Sequence, residues 1–308
     1  MFVPLGKEFE RINEDDLKRM SPPLEFDTAR VKNKYLDVQY GTLPEQLLDV
    51  YLPDDADRPT PAVFYIHGGG WVMGTRRIGG LECIIGAVKH GYAVISVEYR
   101  MAPAVCFPEF IFDVKTAIRW ARAHAADYNL DPARFGIIGD SAGGHISLMI
   151  GFTENHPEYE GEQFGWAGYS SAVQAVVDMY GPADLAADED SWYRESGVRR
   201  IESVPYGEDH DKSLLEVAFG TDNKELLRFF SPISYVKEGI PPLLILQGHD
   251  DCVVPYQHSV LLAEKIRRVC GPGVAELEVY PECNHTDWEF YNEKTAARIL
   301  AFFDSKLK

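Results

Sequence analysis

The stretch Phe135-Gly136-Ile137-Ile138-Gly139-Asp140-Ser141-Ala142-Gly143 decides the fold. Its first four residues form a short apolar run of strand length, too brief for a helix of its own. A glycine-flanked serine follows, and then Ile146, Leu148, Met149 and Ile150 open an apolar helix. Strand, G-x-S-x-G and helix in that order are the setting of a nucleophile elbow, a strained turn that lifts a serine hydroxyl clear of the backbone. Glycines on both sides let strand and helix pass closely. The competing reading, a glycine-rich turn with a helix-capping serine, requires no partner elsewhere in the chain.

Working outward, short apolar runs recur at Ala62 to Ile66, Ala93 to Val97, Ala175 to Met179, Leu243 to Leu246 and Ala275 to Tyr280. Near-continuous apolar strands are those of a parallel sheet buried on both faces. The segments between them carry helical spacing. Val114, Ala117, Ile118 and Ala121 share one face, as do Leu262, Ile266 and Val269, and again Ala296, Ile299, Leu300 and Phe303. Upstream, Lys34 to Tyr40 and Leu47 to Leu52 read as two strands joined by a turn at Gly41 to Glu45, adding an antiparallel edge. The expected architecture is a single α/β domain over residues 1–308, a mostly parallel twisted sheet of about eight strands with helices on both faces. Residues 184–240 separate two core strands by far more than an ordinary connection. This segment holds Trp192, Tyr193, Tyr206, Phe219, Phe229 and Phe230, so it is expected to be a cap over the sheet edge, to which the charged and Pro-broken residues 1–30 contribute. The alternative is a surface excursion with a small core of its own.

If Ser141 is a nucleophile, it needs a base, and the base needs an orienting acid. The run Leu243 to Leu246 ends in Gln247-Gly248-His249-Asp250-Asp251-Cys252-Val253-Val254-Pro255, and Ala275 to Tyr280 ends in Pro281-Glu282-Cys283-Asn284-His285. His67-Gly68-Gly69-Gly70-Trp71 follows the run Ala62 to Ile66 and can aim bare backbone N–H groups at a developing oxyanion, with Ala142 N–H as the second donor. A phosphate loop is the other use of three glycines, but no Walker lysine or G-x-G-x-x-G accompanies them. Right-handed crossovers place all these strand ends on one sheet edge. The order Ser, Asp, His is that of an α/β-hydrolase triad. Asp251 is favoured as the acid, with Asp250 next and Asp184 a distant third. His145 is a competing base on paper but lies one helical turn from Ser141, which suits a buried structural histidine. His67 is expected to be structural, and Arg100 with Asp113 a supporting ion pair.

Taken together, these motifs resemble the α/β-hydrolases of the hormone-sensitive-lipase-like group and the related feruloyl-esterase-like BD-FAE esterases. The matching residues are His67 to Trp71, Tyr99-Arg100-Met101-Ala102-Pro103 with Phe107-Pro108 and Asp113, Gly139 to His145, Gly248 to Pro255, and His285, within a resemblance that covers about residues 45–308. Ala104 and Val105 depart from the acidic residue usual after the Ala-Pro pair. The resemblance implies Ser141 as nucleophile, Asp251 as acid, His285 as base, and Gly69, Gly70 and Ala142 as the oxyanion hole. It implies a cofactor-independent serine carboxylesterase acting on a small-molecule ester. Trp71, Tyr180 and Trp192 are expected to line an apolar pocket for a short acyl or hydroxycinnamoyl group. An arylformamidase or peptidase would use the same triad, and a catalytically silent ligand-binding receptor could keep the fold without the chemistry.

Composition narrows the partners. The chain has 48 acidic against 30 basic residues, a formal charge of −18, which argues against nucleic-acid and anionic-membrane surfaces. With 45% hydrophobic and 25% charged residues it has the make-up of a globular chain with a large core. No apolar run approaches a membrane span, and Met1 to Glu10 lacks a basic region followed by an apolar one, so the expectation is a soluble cytoplasmic monomer or homodimer. Cys83, Cys106, Cys252, Cys270 and Cys283 are odd in number and contain no C-x-x-C pair, which suits reduced thiols rather than disulfides or a zinc site. No metal or cofactor is expected.

Overall fold

The computed structural model describes residues 25–55, 58–198 and 212–308. Its strands are β1 (Lys34–Gln39), β2 (Leu47–Tyr51), β3 (Thr60–Ile66), β4 (Ala93–Val97), β5 (Leu130–Asp140), β6 (Ala175–Met179), β7 (Leu243–Gly248) and β8 (Ala275–Tyr280). They form one eight-stranded sheet in the order β1-β2-β4-β3-β5-β6-β7-β8. β2 is antiparallel to both β1 and β4, and from β4 through β8 every pairing is parallel. Every residue of β3, β4, β6 and β7 is buried, which is why these strands read as unbroken apolar runs.

The helices are α1 (Glu82–Ile85), α2 (Glu109–Ala123), α3 (Ala142–Phe152), α4 (Glu189–Ser196), α5 (Leu214–Phe219), α6 (Lys224–Phe229), α7 (Gln257–Cys270) and α8 (Glu293–Leu307). Two core clusters lie on opposite faces of the sheet. Val114, Ala117 and Ile118 of α2, Ile146 of α3, and Leu262 and Ile266 of α7 pack on one face. Ile84 of α1 and Ile299 and Phe303 of α8 pack on the other. Parallel strands joined by helices on both faces make this an α/β-hydrolase architecture, as expected.

β5 starts five residues earlier than its apolar run. Leu130 pairs with Thr60, register is lost, and pairing resumes at Phe135 opposite Ala62. The polar residues and Pro132 in Asp131-Pro132-Ala133-Arg134 disguise this bulged beginning.

Of the long segment 184–240, residues 199–211 with Tyr206 lie outside the described residues, as do residues 1–24 of the N-terminal segment. The described part does not build a core of its own. Ala218, Phe219 and Leu227 belong to the same cluster as α2 and α3. The Phe219 ring packs against Trp71 at 4.9 Å, Phe107 at 5.5 Å and His145 at 5.7 Å. Arg100 and Asp113 form the expected ion pair at 2.8 Å, and Asp113 also accepts from Gln46 at 2.7 Å and from the Arg100 N–H at 2.9 Å. That fixes the loop between β4 and α2 against the strand-β2 turn.

Candidate active site

Ser141 joins β5 to α3 with φ 53 and ψ −118, a left-handed conformation costly for a side chain other than glycine's. Two features hold it there. Its N–H donates to Met179 O on β6 at 2.8 Å, and a side chain on Gly143 would collide with the Ile66 carbonyl, so only glycine lets α3 pack this near β3. The turn therefore projects the serine hydroxyl away from the sheet. His285 Nε2 lies 3.0 Å from Ser141 Oγ, and His285 Nδ1 lies 2.8 Å from Asp251 Oδ2. The structure thus brings together three side chains that are 34 and 144 residues apart in pairs.

Asp251 is held by more than the imidazole. Its Oδ1 accepts the N–H groups of Val253 at 2.9 Å and Val254 at 2.7 Å, and its Oδ2 accepts Gln247 Nε2 at 3.1 Å. Asp250, the other acid weighed, turns outward to His249 at 2.6 Å with its side chain 46% exposed, whereas that of Asp251 is 0% exposed. Asp184 accepts the N–H of Ala186 and does not meet His285. Loop pairing continues beyond the strands: His249 N–H donates to Tyr280 O and Asp250 N–H to Cys283 O, each at 3.0 Å. Asn284 joins the two loops, its Oδ1 accepting from Cys252 N–H at 3.0 Å and His285 N–H at 2.7 Å. Neither Gln247 nor Asn284 is marked by the sequence motifs. Their only signal is an amide side chain four residues before Asp251 and another next to His285, each at or near a strand end.

The His67 loop leaves β3 beside the serine turn. His67 is wholly buried behind it, stacked on Tyr99 at 4.3 Å with Nδ1 2.8 Å from Gly68 O, which suits a scaffold role. Asp140, next to Ser141, accepts the Tyr65 hydroxyl at 2.8 Å. Burial pushes its carboxyl up to about 6, against the opposing pull of Tyr65 and the Gly68 N–H. His145 is likewise structural: Trp71 Nε1 donates to its Nδ1 at 3.3 Å and its Nε2 faces Phe230 O at 2.9 Å. That pattern requires the neutral Nε2–H tautomer, and burial pushes its pKa down to about 4.

The aromatic expectations need correction. Trp71, expected to line a pocket, is 4% exposed and packs between His145 and Phe219. Tyr180, expected beside it, is 0% exposed; its ring backs the His285 imidazole edge to face at 4.8 Å and its hydroxyl bonds that of Tyr291. Both stand just past strand ends, but each points down into the packing beneath the site. Trp192 on α4 keeps part of its surface exposed and sits at 5.1 Å on His258, the second residue of α7 after the Asp251 loop.

The cysteines are free thiols. Burial pushes Cys252, beside Asp251, up to about 12, so it is not a thiolate nucleophile at neutral pH. Cys283, Asp287 and Glu289 bring potential ligand atoms within 4.8 Å of one another. Burial also pushes the Cys283 thiol up, which opposes the thiolate that a metal requires. Among the described residues no helix is long and apolar enough to cross a membrane.

The BD-FAE family model matches residues 48–266. The chain is 35% identical over 249 residues to esterase LipC of Mycobacterium tuberculosis, covering 80% of this chain and 58% of LipC. It is 30% identical over 290 residues to esterase LipQ of the same organism, covering 92% of this chain and 64% of LipQ. The chain therefore spans less than two thirds of the length of these curated relatives. Among solved structures, a truncated carbohydrate esterase from gut microbiota aligns with a TM-score of 0.78 at 28% identity, over 91% of this chain and 98% of that one.

Proposed function

The chain belongs to the BD-FAE family of α/β-hydrolases, and from that premise we propose that it is a serine carboxylesterase acting on short-chain acyl or hydroxycinnamoyl-type esters. The observation that carries the proposal is the continuous relay from Ser141 Oγ through His285 to Asp251, at 3.0 and 2.8 Å. In this reading His285 Nε2 takes the hydroxyl proton as Ser141 Oγ bonds the ester carbonyl carbon. The carbonyl oxygen gathers negative charge beside the N–H groups of Gly69, Gly70 and Ala142. His285 returns the proton to the leaving alcohol oxygen as its bond to carbon breaks, and an acyl-serine remains. Water, deprotonated by the same imidazole, then adds to the acyl carbon and releases the acid and free Ser141. Asp251 keeps Nδ1 protonated and steadies the imidazolium that forms.

The described residues of 184–240 serve as the cap in this proposal, with Trp192 at its rim. Between Asp184 and Glu225 the sequence holds 12 acidic and 5 basic residues, which favours an uncharged ester over an anionic one. The names of the similar proteins, esterases and a carbohydrate esterase, support ester chemistry and leave both simple and sugar esters in scope.

Hydrolysis of p-nitrophenyl butyrate tests the reading. Ser141→Ala should lower turnover by a factor on the order of 10⁶, and Asp251→Asn by about 10⁴, while Asp250→Asn stays near wild type. Retention of more than about a tenth of the activity in Ser141→Ala would overturn the triad. A matched amide series separates an arylformamidase or peptidase, and failure of a fluorophosphonate to label Ser141 would favour a binding protein.

A further inference from the structure

We propose that Leu214, the first residue of α5, sets the size of the acyl group that the site admits and restricts it to short chains; the assignment rests on the esterase reading above. When Ser141 Oγ has bonded the ester carbon, three other groups remain on that carbon. The oxyanion must face the bare N–H groups, and the leaving oxygen must lie within reach of His285 Nε2 to receive its proton. The acyl group is left on the side away from the imidazole, along the Gly68 to Gly70 loop.

Leu214 stands against Gly70 of that loop. Gly70 adopts φ +61, and a β-carbon built on it would lie 3.2 and 3.5 Å from the two δ-methyls of Leu214 and 3.8 Å from Val72 Cγ2. The isobutyl group of Leu214 therefore fills the space beside the Gly70 α-carbon, next to one of the proposed oxyanion donors, with no polar atom to offer. Such a wall accepts hydrocarbon and rejects length by contact alone.

The wall is also held in place. Ser213 and Glu216 cap α5 reciprocally, Ser213 Oγ accepting the Glu216 N–H at 3.2 Å and the Glu216 carboxylate accepting the Ser213 N–H at 2.7 Å. One turn on, Ala218 O accepts the Phe107 N–H at 2.9 Å, and Phe219 is locked in the cluster of Trp71, Phe107 and His145. The backbone that carries Leu214 is thereby tied to Phe219 and the core. α5 is thus a rigid gauge rather than a loose flap.

The test is the dependence of kcat/KM on acyl length for p-nitrophenyl esters from acetate to octanoate. Wild type should peak at acetate to butyrate. Leu214→Ala should move the maximum by about two carbons toward longer chains, Leu214→Val by less, and Leu214→Phe toward acetate. The ranking of acetate esters of different alcohols should stay unchanged in all three, since the alcohol leaves on the His285 side. A chain-length profile that keeps its maximum, loses activity equally at every length, or shifts its alcohol ranking instead would overturn the assignment while leaving the esterase reading intact. Wild type inactive on every ester would overturn both. The three variants change volume in both directions, so misfolding of one leaves the others to decide.

Discussion

Asp178 on β6 is wholly buried, with Oδ1 accepting the Gly181 N–H at 3.0 Å and Oδ2 without a hydrogen-bond partner among the described residues. Burial, opposed by that one bond, pushes its carboxyl up to about 8. In the unfolded chain the same group titrates near ~3.9. The native state therefore keeps a proton that the unfolded state has released. Its stabilising contribution is complete below the unfolded value and is lost as pH climbs through about 8. Asp178→Asn preserves the acceptor for Gly181 and cannot ionise. Its melting temperature relative to wild type should rise steadily between about pH 5 and about pH 9, by a few degrees in all. A difference that is level across that range would mean that the native carboxyl titrates normally. Asp140 shifts in the same direction, to a lower value, because Tyr65 and the Gly68 N–H oppose its burial.

At the scale of elements, α5 shows what local pattern can and cannot reveal. Its end is embedded through Phe219, so Phe219→Ala should cost about 3–5 kcal/mol, read as a lower denaturation midpoint in urea. A loss below about 1 kcal/mol would mean that the segment lies on the surface instead. The strands were legible because burial on both faces leaves an unbroken apolar run, as in Val63-Phe64-Tyr65-Ile66. The start of β5 was not, since Asp131 and Pro132 interrupt the run where register slips. An aromatic such as Phe219 announces burial but carries no label for its partner. A separate small core and a share in the main one therefore look identical in sequence. The same ambiguity misled the reading of Trp71 and Tyr180, whose strand-end positions were right while their directions could not be read from spacing.

At the scale of the whole molecule, the meeting of Ser141, Asp251 and His285 was legible because sheet topology gathers strand ends regardless of separation in sequence. The cross-links that secure the meeting, Gln247 to Asp251 and Asn284 to both loops, were not, because each depends on a rotamer that only packing selects. The order of the sheet carries one more consequence. Among the described residues β8 is hydrogen-bonded to β7 alone, and none of its residues is fully buried. His285 hangs from its outgoing loop, while Ser141 follows a strand in the sheet's interior. Border strands open at lower free energy than central ones. In rising urea, esterase activity should vanish at concentrations where far-UV circular dichroism still registers an intact protein. Superimposed curves would show the border to be as firm as the middle. A molecule built this way goes silent before it comes apart, and on dilution of the urea it needs only to re-zip one strand to work again.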